Sequence, residues 1–255
     1  MRGINAFLIS VFICCVVSVN GQFVRDTVHI REVRVLAKRK VEEAGLKITR
    51  TDSLQRASTI TTDLSELIAE YSPVFIKSYG RGSTAIASFR GTAASHTQVL
   101  WNGMNLNSPM RGLADLSMLP VFFTDEVFLL HGGSSVTKGS GALGGSIHLE
   151  NIPEWSSDFA IETRIETGSF HTRKSFFQLQ FGGKLLHIST RVFYDTSEND
   201  FLFYNPAVIP HRNDTLKNAG YSKTGILQEF YLRHRNDQVS GLRAVSYTHL
   251  TLPTN

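Results

Sequence analysis

The sequence predicts a mixed α+β domain followed by the first antiparallel strands of a transmembrane β-barrel. Between residues 80 and 150, glycine-containing segments separate short apolar runs. That pattern is typical of a compact domain with tight turns and close backbone approaches. From residue 159 onward, apolar and polar residues alternate with a period of two, which indicates long half-buried strands.

The first residues indicate export. The chain has 255 residues and a formal net charge of +4, with no long block of basic residues, which argues against a nucleic-acid surface. Arg2 precedes an apolar run over Ile4–Val19, and small residues follow, as in a secretory signal peptide over residues 1–21. Both cysteines, Cys14 and Cys15, lie inside that run. The mature chain is therefore predicted to hold neither a disulfide nor a thiolate metal site.

Two helices are predicted in the α+β domain. Asp63 followed by Glu66 indicates a capping box, and Leu64, Leu67 and Ile68 then share one helical face before Pro73. A second helix is expected over residues 114–119, ended by a proline. The apolar runs between them are predicted as strands, so the domain is mixed.

The alternation after residue 159 favours a barrel. Residues 159–166, 177–181 and 186–194 carry apolar residues on one face and long charged or polar residues on the other. Gly182-Gly183 predicts a tight hairpin turn, and residues 197–223 a long loop with Phe201, Phe203 and Tyr204 near its base. A soluble antiparallel sheet would also alternate, and the pattern leaves that alternative open.

Three segments in fixed order carry a resemblance to a known family. They are Phe89-Arg90-Gly91, the run Trp101–Asn107, and the glycine-rich run Gly139–Gly145. Together they resemble the plug domain of TonB-dependent outer-membrane receptors over roughly residues 33–151. The sequence departs from that pattern at Asn102, where Asp is usual, at Asn105, which stands near the usual Pro, and at His131, where Arg is typical.

The resemblance implies a plug inside a barrel of about 22 strands, with no enzymatic activity and no cofactor or metal. It also implies outer-membrane lipid as surroundings, a small-molecule chelate as substrate, and TonB with the ExbB/ExbD energising complex as partner. The leader, residues 22–50, is expected to hold the Ton box, which a periplasmic partner would add as an edge strand. Its candidate residues are Asp26, Thr27, Val28, His29, Ile30, Glu32, Val33 and Val35.

Further site residues follow from the resemblance. Arg90 is expected to tie the plug to barrel carboxylates, because a guanidinium bonds a carboxylate bidentately. The apices of the plug are expected to face outward toward the ligand. Their candidate residues are Ser78, Tyr79, Arg81, Asn105, Asn107, Met110 and Arg111.

The resulting division places the plug at residues 51–152 and incomplete barrel strands at residues 153–243. Residues 244–255 are expected to fit no strand and to be a non-native tail. A complete barrel needs many more spans than the chain holds, so the sequence is interpreted as a truncated piece of a larger receptor.

The predicted function is import across the cell outer membrane, after Sec-type export and signal-peptide cleavage. The expected cargo is a scarce chelate such as cobalamin or a ferric siderophore, with a slight preference for cobalamin. Two alternatives remain. Ser135-x-x-Lys138 with Lys223-Thr224-Gly225 is the pattern of a periplasmic serine acyl-enzyme, and a secreted β-rich adhesion protein is the other. The G-x-G-x-x-G at 139–144 does not predict nucleotide binding, because a strand rather than a helix is expected after it.

Overall fold

A computed structural model describes residues 47–132, 141–156, 158–207, 209 and 212–251. They form an α+β domain over residues 47–152, called the plug below, and a sheet of long antiparallel strands, called the wall. Among these residues, no helix has the length and hydropathy that a membrane crossing requires. The predicted fold class is confirmed.

Two helices lie at the start of the plug: α1 is Ser53–Ser58 and α2 is Leu64–Tyr71. Asp63 caps α2, as predicted, by accepting hydrogen bonds from the backbone N–H groups of Ser65 and Glu66. The reciprocal capping box occurs instead on α1, where Asp52 and Gln55 cap each other. Leu64, Leu67 and Ile68 are buried, as their spacing predicts.

The plug sheet has the strand order β1-β6-β7-β4-β5. Its strands are β1 Lys47–Arg50, β4 Thr97–Trp101, β5 Met104–Asn105, β6 Glu126–His131 and β7 Gly145–Glu150. A separate hairpin pairs β2, Phe75–Ser78, with β3, Ala85–Ser88. β4 and β7 are neighbours in this sheet and run parallel to each other. The strand predicted directly after the glycine-rich run is confirmed, because β7 begins at Gly145.

The second predicted helix is wrong in type. Residues 116–118 form one 3-10 turn, capped by the Asp115 side chain, and residues 121–123 form another after Pro120. Pro120 has no backbone N–H and restricts the residue before it, so a continuous helix cannot pass through this point. The two turns instead bury Leu116, Phe122 and Phe123.

The wall has the order β14-β13-β10-β9-β8, with every neighbouring pair antiparallel. Its strands are β8 Phe159–Gly168, β9 Thr172–Gly182, β10 Leu186–Ser197, β13 Tyr221–Arg233 and β14 Val239–Thr251. Between β10 and β13, the predicted long loop carries a short hairpin of β11, Leu202–Asn205, and β12, Arg212–Thr215. β9 and β10 meet at the predicted Gly182-Gly183 turn.

One expectation for the wall is wrong. Residues 244–251 were expected to fit no strand, but they complete β14 and pair with β13 in unbroken register from Tyr221↔Thr251 to Arg233↔Val239. Backbone pairing with a long neighbouring strand fixes this segment although its side chains alternate weakly. The non-native origin of residues 244–255 stays a prediction, and residues 252–255 lie outside the described ranges.

Candidate functional site: the contact between plug and wall

The inner face of the wall is built from alternate positions of three strands. Successive side chains of a strand point to opposite faces, and here one set is buried against the plug while the other is exposed. The buried polar or charged members are Lys174 on β9, His187, Ser189 and Arg191 on β10, and Lys223 and Glu229 on β13. The opposite set includes Phe159, Ile161, Ile165, Phe177 and Phe181, all exposed. Apolar-out, charged-in alternation is thus confirmed.

Arg191 forms the shortest ion pair between plug and wall among the described residues. Its Nη2 donates to Asp125 Oδ1 over 2.7 Å, and its Nη1 donates to the carbonyl of Phe122 over 3.2 Å. The Arg191 side chain is only 6% exposed. A guanidinium buried this far is stable only with its charge paired, so Asp125 and Arg191 hold plug and wall together as a unit.

Two lysines grip the plug near the Ser197 end of the wall. Lys174 Nζ donates to the carbonyl of Thr61 over 2.9 Å, and Lys223 Nζ donates to the carbonyl of Ser117 over 2.9 Å. Lys223 Nζ also lies 3.9 Å from Asp63 Oδ2, the carboxylate that caps α2. In the Lys223-Thr224-Gly225 segment of the alternative acyl-enzyme pattern, the lysine ammonium therefore binds the plug. Ser135 and Lys138, the other residues of that pattern, lie outside the described residues.

Asn151 fixes the corner where the chain leaves the plug. Its Oδ1 accepts from Trp101 Nε1 over 2.6 Å, and its Nδ2 donates to the carbonyl of Phe123 over 2.8 Å and to Glu229 Oε2 over 3.2 Å. Glu229 is 1% exposed and also accepts from the Tyr231 hydroxyl and from Arg243 Nε. A buried carboxylate with several donors is a rigid attachment point.

Aromatic packing fills the space between these polar contacts. Phe122 of the plug lies 5.2 Å, centroid to centroid, from Phe176 on β9, and Phe123 lies 5.2 Å from Phe193 on β10. All four rings belong to one buried apolar cluster that extends into the plug core. The contact between plug and wall, called the seal below, therefore combines polar bonds with apolar packing that excludes water.

A polar cavity of about 190 Å³ remains between the plug and strands β8–β10. It is lined by Arg56, Phe122, Asp125, Glu154, Glu162, Arg164, Gln178, Gln180, His187 and Arg191, among others. Within the described part of the chain, Arg191 Nε has no hydrogen-bond partner. A cavity of this size and polarity has room for several water molecules.

Two titratable groups of the plug are perturbed. Burial raises the pKa of the Glu66 carboxyl, nearby Asp63 raises it further, and Arg81, whose Nη2 lies 3.7 Å away, opposes both. Burial lowers the pKa of His131, and the Lys47 and Arg90 cations lower it further. His131 Nε2 is also 3.0 Å from Thr49 Oγ1, so this histidine is a satisfied polar residue of the plug sheet.

The predicted Ton box residues, Asp26 to Val35, lie outside the described residues. Arg90 is described, exposed and in the left-handed region at φ 50°. It makes no hydrogen bond or ion pair with any residue in the described ranges, so its role as a tie stays a prediction.

The predicted apical residues fall into two groups. Ser78 is the last residue of β2, Tyr79 and Arg81 lie in the turn between β2 and β3, and all three are exposed. The Arg81 carbonyl accepts from Asn199 Nδ2 over 3.4 Å, which brings this turn beside the loop after β10. Asn105 ends β5, Met110 and Arg111 lie in a second turn after it, and all three are exposed.

Asn107 differs from the other apical residues because its amide is used internally. Its Oδ1 accepts from the Val99 N–H over 2.8 Å, and its Nδ2 donates to the carbonyls of Thr97 and Gly112, each over 2.8 Å. The side chain therefore shapes the second turn from within.

The sequence analysis did not predict the residues that join plug and wall, which are Asp125, Arg191, Lys174, Lys223, Asn151 and Glu229, as ties. Alternation placed Arg191 on the polar face of its strand, and that was the available signal. The partners of these residues lie 66 to 113 positions away in the chain, so no local pattern in the sequence identifies them.

Comparison with known proteins agrees with this architecture. Residues 40–146 match the family described as TonB-dependent Receptor Plug Domain. A 74-residue stretch, 29% of this chain, is 36% identical to the Vitamin B12 transporter BtuB of Vibrio vulnificus (strain YJ016) and spans 12% of that protein.

Two solved structures share the fold. The Copper transporter OprC superposes with a TM-score of 0.61 at 20% identity, over 75% of this chain and 29% of that one. The ferric yersiniabactin uptake receptor FyuA of Yersinia pestis superposes with a TM-score of 0.58 at 20% identity, over 81% of this chain and 32% of that one. The chain thus spans about a third or less of the length of each of these three proteins.

Proposed function

Because the chain belongs to the TonB-dependent receptors, with a plug domain at residues 40–146, we propose that it actively imports a scarce, bulky nutrient across the outer membrane. The observation that carries this proposal is the seal between plug and wall. Arg191 to Asp125, Lys223 to Ser117 and Asn151 to Glu229 are individual polar bonds that a pull on the plug could release.

The substrate that we propose is cobalamin, with a ferric siderophore as the alternative within the same class. The support for cobalamin is the identity with proteins named Vitamin B12 transporter, which reaches 36% over 74 residues. The support for a metal chelate is the fold shared with the ferric yersiniabactin uptake receptor FyuA. In this proposal Ser78, Tyr79, Arg81, Asn105, Met110 and Arg111 meet the ligand, while Asn107 shapes their turn.

The energy would come from TonB with the ExbB/ExbD complex. We propose that residues 26–35 add as a strand to TonB, because main-chain hydrogen bonds tolerate the varied side chains of this β-branched segment. A pull on that strand reaches the plug at β1, which pairs with β6 across the register Lys47↔His131 to Arg50↔Phe128. Arg90 is proposed to add a further tie to carboxylates of the wall. Signal-peptide cleavage, with release of residues 1–21, and the outer-membrane location belong to the same proposal.

The test is uptake by cells that lack the chromosomal gene and carry it on a plasmid. Labelled cobalamin and ferric chelates are supplied separately, with and without a functional TonB. We expect one of them to accumulate only when both proteins are present.

A point variant tests the proposed Ton box. Val28→Pro removes a main-chain donor from the added strand, so we expect uptake to be lost while ligand binding to the purified receptor is kept. Lys38→Pro, in the leader but outside the proposed box and away from the predicted cleavage site, is the matched control and should transport normally. Uptake that is indifferent to TonB, or a protein found in the soluble periplasm, would contradict the proposal.

A further inference from the structure

A side-chain cluster outside the plug–wall contact combines one imidazole with two carboxylates. His171 lies in the turn between β8 and β9, and Glu198 and Asp200 follow β10. One ligand atom of each residue lies within 4.8 Å of those of the other two, and His171 Nδ1 is 3.1 Å from Glu198 Oε2. All three side chains are exposed, so they are free to rotate toward a common ion.

Hydrogen bonds join the two backbone segments that carry this cluster. Thr172 Oγ1 donates to Ser197 Oγ over 3.0 Å, and Ser197 Oγ donates to the Phe170 carbonyl over 3.0 Å. The Glu198 N–H donates to the same carbonyl over 3.1 Å. The β8–β9 turn and the end of β10 are therefore held together without help from the three charged side chains.

Asn199 sets the orientation of the two carboxylates. It is 7% exposed, and its Nδ2 lies within hydrogen-bonding distance of the carbonyls of Arg81 and Ala219. With Asn199 directed inward, its neighbours Glu198 and Asp200 both project to solvent on the side of His171. This arrangement gives a three-donor face on a fixed scaffold.

We propose that His171, Glu198 and Asp200 bind a divalent first-row transition ion at the Ser197 end of the wall. An imidazole nitrogen with carboxylate oxygens is a donor set that suits Zn²⁺, Cu²⁺ and Ni²⁺. Metal–ligand distances of roughly 2.0–2.2 Å require the donors to close on one another, which rotation of exposed side chains permits. The remaining coordination positions stay open to water or to a second ligand.

The surroundings favour such an open site. The three residues also line an open cleft of about 850 Å³, together with Arg173, Lys217 and Tyr221. A metal with free positions at the edge of this cleft could hold an anionic ligand whose charge Arg173 and Lys217 complement. Calcium and magnesium fit less well, because hard ions prefer oxygen donors and calcium takes six to eight of them.

The experiment measures Zn²⁺ binding by isothermal titration calorimetry on the receptor purified from outer membranes in detergent. We expect one Zn²⁺ per chain. His171→Ala, Glu198→Gln and Asp200→Asn should each weaken binding by roughly tenfold or more, a loss that even residues behind metal ligands can produce. Calcium should bind much more weakly than Zn²⁺.

Matched controls are His234→Ala and Glu166→Gln. Both residues are exposed on the same wall and lie outside the cluster. They should leave Zn²⁺ binding unchanged. The readout is metal binding alone, so it can fail or succeed independently of the proposed transport.

Three results would overturn the inference. The first is no Zn²⁺ binding, which leaves His171 and Glu198 as an exposed ion pair only. The second is Zn²⁺ binding that all three cluster variants retain. The third is Ca²⁺ binding as tight as Zn²⁺ and unaffected by His171→Ala, which would remove the imidazole from the site.

Discussion

Arg191 of the wall and Asp125 of the plug lie 2.7 Å apart, nitrogen to oxygen, although 66 positions separate them in the chain. The same guanidinium donates to the carbonyl of Phe122, so the Arg191 side chain contacts both a carboxylate and a backbone carbonyl of the plug. This pairing indicates that plug and wall fold against each other, since the buried Arg191 charge would be costly without Asp125.

Breaking that pair should loosen the plug. We expect Asp125→Asn to lower the free energy of unfolding of the plug by about 3 kcal/mol, because it leaves the buried Arg191 guanidinium without its charged partner. Arg191→Met should cost less, because the Asp125 side chain that remains is 24% exposed. The measurement is limited proteolysis of the plug in rising urea. The double variant should cost clearly less than the sum of the singles, which is the mark of direct coupling.

The control for this prediction is Arg164→Met. Arg164 Nε pairs with Glu162 over 2.6 Å on exposed β8, and such pairs contribute less than about 1 kcal/mol. If the Asp125 and Arg191 effects were simply additive, the two residues would not act as one tie.

Gly82 gives a second prediction because it packs directly on the wall. Its φ is +70°, and a Cβ at this position would lie 2.3 Å from Cδ1 of Tyr221 on β13. We expect Gly82→Ala to displace the β2–β3 turn from the wall and to raise its hydrogen exchange and proteolysis. The whole aromatic ring would have to shift to relieve the contact.

Gly91→Ala separates steric overlap from backbone strain. Gly91 has a φ of +73°, and nothing lies within 4 Å of a Cβ built there. Gly91→Ala should lower the free energy of unfolding only by the strain of a left-handed alanine, about 1 kcal/mol. Equal effects of the two substitutions would show that Tyr221 yields freely, contrary to the expectation.

Local patterns explain what could be predicted. The cap Asp63 and the face of Leu64, Leu67 and Ile68 depend on residues within one or two helical turns, and the wall strands depend on simple alternation. β14 escaped prediction because its pairing with β13, rather than its own pattern, makes residues 244–251 a strand.

The site was predicted less well than the fold. Arg90 was selected from the family pattern, whereas the described ties are made by Arg191, Lys174 and Lys223 with partners that sequence spacing does not encode. Asn107 was expected to meet ligand because of its position, but the three hydrogen bonds of its amide depend on how β4 and the following turn come together.

Asn151 gives a third prediction, for the corner of the plug. Asn151→Asp keeps the shape but removes the two Nδ2 hydrogen bonds and places a second carboxylate beside buried Glu229. We expect the plug to lose roughly 2–4 kcal/mol, because two like charges would share a buried site. Urea unfolding at pH 7 measures the loss.

The companion variant is Glu229→Gln in the Asn151→Asp background. Removing the second charge should restore part of the stability, although Arg243, 3.2 Å from Glu229 Oε1, loses its own partner. A loss that Glu229→Gln leaves unchanged or enlarges would show that repulsion is not the cause.

The last prediction concerns pH and Glu66. Its carboxyl has a pKa raised above the usual 4.5, first by burial and then by Asp63. A raised pKa in the folded state means that the protonated form is favoured by folding. The contribution of Glu66 to stability is therefore full below about pH 4.5, and it is lost as the pH rises through the folded-state value.

Glu66→Gln should consequently remove that pH dependence and leave the plug at least as stable as the parent at neutral pH. The stability difference, variant minus parent, should grow as the pH rises from 4 to 7, measured by urea unfolding at each pH. Glu70→Gln, an exposed change on the same helix, controls for the loss of one negative charge. If the variant instead became less stable than the parent at neutral pH, the ion pair with Arg81 would outweigh the cost of burial, because only the charged carboxylate gains from that guanidinium.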